Sequence, residues 1–211
     1  MTYYKPKNIE KKFISKDIHI VNDNDFYKII AINDIPKNTI ILKDIPEYNL
    51  FGHYKTNQIL DILYMVLHNR HDIKINNLFP RHKITFINKS NNPFLINLQK
   101  EINNCHNNKI KKYLLKFDID ILYIYYYKII FNAFDMYKTP VLLFNGATMN
   151  HSCFPNIYFY ECNNAMIFIT LSNIKKGDEL TYSYLRHVNY KTNEEKHKYL
   201  LNHYNFECNC I

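Results

Sequence analysis

Strand-forming runs gather at the two ends of this chain and helical periodicity fills its middle, a division that limits the fold more than any other feature. Near the N-terminus, Phe26-Tyr-Lys-Ile-Ile-Ala-Ile is rich in β-branched and aromatic residues, which fit a pleated surface. Asp34-Ile-Pro-Lys-Asn then predicts a turn, and Thr39-Ile-Ile-Leu a second strand. Residues 1–51 therefore read as a hairpin-like meander. β character returns after residue 139, in Pro140-Val-Leu-Leu-Phe, Ile157-Tyr-Phe-Tyr and Ala165-Met-Ile-Phe-Ile-Thr, followed by a turn at Lys175-Lys-Gly-Asp. Between these ends, Ile59, Ile62, Leu63, Val66 and Leu67 recur at helical spacing, predicting a helix over 54–69. Residues 95–117 predict one helix or two, interrupted at 103–108. Residues 119–137 predict a buried helix, and 70–95 a loop with short elements. A charged helix over 193–203 precedes the last cysteines. Strands, helices, then strands make an α+β arrangement in which the two ends must close on each other.

The chain has 211 residues, and 47% of them are apolar, enough for one domain with an insertion. The expected division is 1–51 for the first strands, 52–138 for the helical insertion, 139–190 for the returning strands and 191–211 for a closing segment. The most apolar window, 119–134, is broken by Asp120 and Lys128, so no membrane-spanning helix is expected. Met1-Thr-Tyr-Tyr-Lys-Pro has no apolar stretch of the kind a secretory leader needs. A nuclear or cytoplasmic protein is expected. The net charge of +8 is scattered along a chain rich in Asn, Lys, Ile and Tyr, so direct nucleic-acid binding is not expected. The cysteines are Cys105, Cys153, Cys162, Cys208 and Cys210. Cys208-Asn-Cys210 is too tight for a relaxed mutual disulfide, which favours a metal.

Two segments carry the chemistry. Asn150-His-Ser-Cys-Phe-Pro-Asn156 follows Phe144-Asn-Gly-Ala-Thr-Met, and Ile174-Lys-Lys-Gly-Asp-Glu-Leu-Thr-Tyr-Ser-Tyr184 comes about twenty residues later. In this order and spacing the pair resembles the two central motifs of SET domains. Three further stretches agree. Ile30-Ala-Ile-Asn-Asp-Ile-Pro-Lys-Asn-Thr-Ile-Ile41 is similar to the opening SET strands. Ile129-Ile-Phe-Asn132-Ala-Phe134 is similar to the helix before that Asn-His-Ser-Cys motif in SET-and-MYND proteins. Tyr204-Asn-Phe206-Glu-Cys208-Asn-Cys210 is similar to the post-SET closing segment. The resemblance covers roughly 24–51 and 124–210. It lacks the MYND finger, since the insertion holds only Cys105.

The resemblance implies a knotted β fold with a helical insertion and a C-terminal post-SET zinc segment. It implies a protein lysine methyltransferase that uses S-adenosylmethionine. Methyl transfer to a neutral amine needs orientation, a site for a cationic cofactor and exclusion of water. A tyrosine hydroxyl can orient the amine, and aromatic walls suit a cation. Among 19 tyrosines, position in the motifs singles out two. Tyr184 matches the catalytic tyrosine and Tyr204 the second tyrosine of the lysine channel. Asn150, His151, Asn132, Tyr184 and Phe206 match cofactor contacts. Cys153, Cys208 and Cys210 match ligands of a structural zinc, whose fourth ligand is a residue beyond Ile211, a histidine or water. The partner is a protein that presents a lysine, a histone being one candidate. One departure concerns the first strand, which in the family opens with Gly-x-Gly; here Asp25-Phe-Tyr-Lys28 holds no glycine. A SET module that binds a peptide without transferring methyl is the alternative.

Overall fold

The computed structural model describes residues 11–23, 26–48, 58–79, 93–185, 192–204 and 206–210. The expectations for 1–10, Asp25, 54–57 and most of 80–92 lie outside the described residues. The chain divides into two compact units, one holding Pro46–Phe144 and the other Asn8–Ile45 together with Asn145–Ile211. The helical unit is thus inserted between the two halves of a strand-rich unit.

In the helical unit, α1 (Gln58–His68) is buried almost all round, with Leu60, Ile62, Leu63, Val66 and Leu67 fully hidden. Each such side chain contributes about 1.5–3 kcal/mol by leaving water. It packs against α4 (Asn108–Leu114) and α5 (Ile119–Asn132). The 95–117 region is two helices, α3 (Pro93–Asn103) and α4, because Asn107 caps the second by accepting from Lys109 N and Ile110 N. A short helix, α2 (Ile73–Asn76), stands in the region expected to be mainly loop. The buried helix begins where expected, at Ile119 behind the Asp118 cap, but ends at Asn132 rather than 137. Residues beyond it form β5 (Ala133–Met136), which pairs with β6 (Thr139–Leu142). The turn between them puts Tyr137 and Lys138 at φ 51° and 60°, a two-residue hairpin geometry usually signalled by glycine or asparagine. Without that signal the sequence reads as continuing helix.

In the strand-rich unit, β1 (Phe13–Ile14), β4 (Ile40–Asp44), β9 (Ala165–Thr170) and β8 (Ile157–Cys162) form one sheet in that order. β2 (Ile18–Asp23), β3 (Phe26–Ala31), β10 (Glu179–Tyr182) and β7 (Asn150–His151) form another. The expected meander is therefore corrected: β3 and β4 belong to different sheets and do not pair. The residues between them do not fold back as a hairpin. Ile35 exchanges backbone bonds of 2.9 Å in both directions with Ile174, from the far end of the chain. β8 and β9 do form a hairpin, turning through Asn163 and Asn164 at φ 47° and 61°. Gly177, at φ 93°, makes the turn before β10 and donates to Ala31 O. The charged helix α6 (Asn193–Tyr204) starts with a capping box, Thr192 and Glu195 each bonding the other's backbone N–H.

Candidate active site and thiol cluster

β7 lies parallel to β10, with Asn150 opposite Thr181 and His151 opposite Tyr182. This pairing joins the two motifs that stand apart in sequence. Asn156 fastens the joint from below, donating to Glu179 O and accepting from Thr181 N, both at 2.8 Å. Asn150 spends both amide hydrogens, on Tyr27 O at 3.1 Å and on Glu179 Oε1 at 2.7 Å. What it still offers a ligand is its amide oxygen. Tyr27 belongs to β3, the strand expected to need glycine. β3 instead runs in register with β2 from Phe26 to Ala31 and holds no left-handed backbone.

Tyr184 follows β10 directly. Its hydroxyl donates to Met149 O at 3.0 Å, and its backbone N–H donates to His151 Nδ1 at 3.0 Å. Its ring stands 4.6 Å from Tyr204, 4.9 Å from Tyr182, 5.2 Å from His151 and 6.2 Å, edge-on, from Phe206. Burial, reinforced by Tyr204, holds the Tyr184 hydroxyl well above the usual tyrosine range. Burial likewise raises Tyr182, with Tyr184 and Tyr204 adding to it. Tyr184 is thus a neutral phenol with its proton committed to a carbonyl and its lone pairs left to accept. Burial lowers His151 to about 4, so its ring is neutral near pH 7. The aromatic faces form a wall suited to a cation.

Behind this wall lie the thiols. Cys153 Sγ is 3.6 Å from Cys208 Sγ and 3.4 Å from His151 Nε2. Cys210 N–H donates to Cys208 Sγ at 3.4 Å, and the Cys210 thiol lies 3.9 Å from Ser152 Oγ. The ligand atoms of His151, Cys153, Cys208 and Cys210 all lie within 4.8 Å of one another. Zinc–sulfur bonds of about 2.3 Å at tetrahedral angles separate neighbouring sulfurs by roughly 3.8 Å, so the spacing fits a metal of that size. Burial first, and then the neighbouring thiols, push Cys153 up to about 12. Burial also raises Cys208, whereas hydrogen bonds from Cys153 N–H and the surrounding side chains outweigh burial and lower Cys210. Thiols that resist ionising beside each other are the kind of group a bound cation turns into thiolates.

Of the residues expected at the site, Asn150, His151, Tyr184, Tyr204 and Phe206 come together here, with Cys153, Cys208 and Cys210 adjoining. Asn132 lies in the helical unit, buried, donating to Phe79 O at 2.6 Å and Lys128 O at 2.7 Å. Four contributors went unassigned in the sequence. Asn156, Glu179 and Tyr182 stand inside the quoted motifs, where their position was the available signal. Asp44, at the end of β4, carries no motif. Fully buried, it accepts from Asn145 N and Gly146 N at 2.9 Å each and from Asn145 Nδ2 at 3.2 Å, with Lys12 Nζ at 3.7 Å. It thereby anchors the 3-10 turn, Gly146–Thr148, that leads into Met149 and Asn150.

A SET domain-containing protein of Acanthamoeba polyphaga mimivirus, L678, is 33% identical over 184 residues, which span 86% of this chain and 71% of that one. Histone-lysine N-methyltransferase SMYD3 of Mus musculus is 34% identical over 90 residues, 40% of this chain and 21% of that enzyme. The solved SET domain of LSMT bound to lysine and AdoHcy superposes with a TM-score of 0.56 at 12% identity, over 93% of this chain and 54% of that one. The chain thus spans about half the length of that structure, and the likeness is one of fold. The SET domain family itself matches residues 27–185, three quarters of the chain, and with the mimivirus relative this shows that the chain belongs to the SET domain family.

Proposed function

We propose that this protein is a protein lysine methyltransferase using S-adenosylmethionine, and that the whole chain is a single SET domain of the knotted type, with 52–138 as its insertion. The observation that carries the reading is Tyr184, its hydroxyl tied to Met149 O inside a ring of Tyr204, Phe206 and His151. S-adenosylmethionine supplies a methyl group on a cationic sulfur, which a neutral lysine amine displaces in line. The lone pairs of Tyr184 accept from that amine and aim it, and Tyr204 forms the other wall of the lysine's path. Asn150 offers its amide oxygen to the ammonium of the cofactor. His151 and Phe206 add neutral aromatic surface beside it. Asn132 is carried as a further cofactor contact through the resemblance alone. Cys153, Cys208 and Cys210 hold a structural zinc that pins the segment bearing Phe206. The substrate is a protein lysine; the name of the mouse relative makes a histone the first candidate to assay.

Calorimetric titration of the zinc-supplemented protein with S-adenosylmethionine and S-adenosylhomocysteine tests the reading without knowledge of the substrate. Saturable binding, weakened in Asn150→Ala, is expected. A folded, zinc-loaded protein that takes up neither compound sinks the enzyme reading and leaves a peptide-binding SET module.

A further inference from the structure

We infer that His151 is not a ligand of the metal but the hydrogen-bonded tie between a metal-bound Cys153 and the backbone of Tyr184. The inference rests on the zinc reading above. Distance alone would enlist the ring, since Nε2 lies 3.4 Å from Cys153 Sγ, a spacing that suits a shared metal and an N–H···S bond equally. Protons separate the two. The Tyr184 N–H approaches Nδ1 at 3.0 Å, and a backbone N–H can only donate. Nδ1 must therefore be bare. A neutral imidazole carries one proton, which leaves it on Nε2. A protonated Nε2 has no lone pair for a metal, and it donates to the sulfur beside it.

The opposite assignment has a stated cost. With Nε2 bound to metal, the proton moves to Nδ1 and two N–H groups face each other at 3.0 Å. The Tyr184 N–H would lose its acceptor, and the ring would have to turn. That rotation is opposed by its neighbours, the Tyr184 ring at 5.2 Å and the Phe206 ring at 5.8 Å. The parallel register of β7 and β10, His151 opposite Tyr182, holds the backbone on both sides.

The consequence is a continuous path: Tyr184 N–H to Nδ1, Nε2–H to Cys153 sulfur, and sulfur to metal. The metal fixes the sulfur, the sulfur fixes the ring, and the ring fixes the backbone from which the Tyr184 hydroxyl is aimed. His151 is then a positioning residue. The fourth metal position is filled by a donor other than His151.

The test uses the full chain loaded with cadmium-113 and labelled with nitrogen-15 in histidine. A cadmium resonance without nitrogen splitting is expected, with His151 showing a bare Nδ1 and a protonated Nε2. Cobalt loading of His151→Ala should then give ligand-field bands at unchanged positions, with affinity down about 10–100-fold, as for other groups that bond to a ligand rather than to the metal. The Tyr184 amide resonance should move when metal is stripped from the parent protein and stay fixed in His151→Ala. Cadmium–nitrogen coupling, or cobalt bands that shift on substitution, overturns the inference while leaving the zinc reading standing. Failure of the parent protein to bind cobalt or cadmium at all removes the zinc reading and this inference together.

Discussion

At the scale of single residues, the hydroxyl of Tyr184 is the group on which the chemistry turns. Its proton is committed to Met149 O and its pKa is pushed well up by burial, so it acts through its lone pairs rather than as a phenolate. Tyr184→Phe should leave the unfolding midpoint and cofactor affinity near those of the parent while methyl transfer falls about 10²–10⁴-fold. Full turnover by the Phe variant in a radiolabelled methyl assay would show that the hydroxyl takes no part. Tyr184, Asn150 and the cysteines were legible because they stand in two rigidly spaced motifs. Asp44 was not, because a lone aspartate ending an apolar run gives no hint that it is fully buried against Asn145 and Gly146. Pattern identifies the groups that meet a ligand; the groups that hold them in place are found only when distant backbone atoms are seen to converge.

At the scale of elements, Asp44 connects the end of β4 to the turn that delivers Met149 and Asn150. Asp44→Ala strips two backbone N–H groups and one amide of their acceptor, Gly146 N–H in a buried position. A loss of about 3 kcal/mol or more is expected, read as a lowered denaturant midpoint with an unchanged slope. An unaltered midpoint would mean that solvent replaces the carboxylate without cost. A second link joins the two ends of the chain at Asp34, which accepts from Lys176 N at 2.9 Å and Lys175 Nζ at 3.0 Å. These bonds, the backbone one first, hold its pKa below the usual carboxylate value. A depressed folded value means that its stabilisation is complete above the unfolded value near 4 and disappears as pH falls through the folded one. Asp34→Asn should therefore shallow the acid limb of the stability curve below about pH 4 and change nothing near neutrality. The central helices were legible from apolar spacing, and their Asn107 and Asp118 caps sharpen the starts. The strand pairing was not. β3 and β4 read as partners by proximity, yet each finds its neighbour in β10 and β9 from the other end of the chain. Short β-branched runs declare that they are strands without declaring against what.

At the scale of the whole molecule, the insertion raises a question of autonomy. The strand-rich unit leaves off at Ile45 and resumes at Asn145, and the Asp44 carboxylate touches the Asn145 N–H at 2.9 Å. The two breaks in that unit are therefore adjacent, and a few residues suffice to bridge them. Its aromatic contacts are also its own: Phe159 lies 5.5 Å from Phe168 and 5.3 Å from Tyr182, and Tyr182 reaches Tyr184. Replacing Pro46–Phe144 by a short Gly-Ser linker shortens the closing loop, which lowers its entropic cost slightly. The shortened chain should unfold cooperatively and take up cobalt at one equivalent, because Cys153, Cys208 and Cys210 all remain. A chain with native-like far-ultraviolet dichroism but no cooperative transition would show instead that the strand-rich unit depends on the helical one for its packing. If it folds, the same protein decides the place of Asn132, which the deletion removes. Cofactor affinity equal to that of the parent confines the binding groups to Asn150, His151, Tyr184 and Phe206. A loss reproduced by Asn132→Ala in the full chain assigns Asn132 a direct share. A loss that Asn132→Ala does not reproduce places the missing contribution elsewhere in the helical unit.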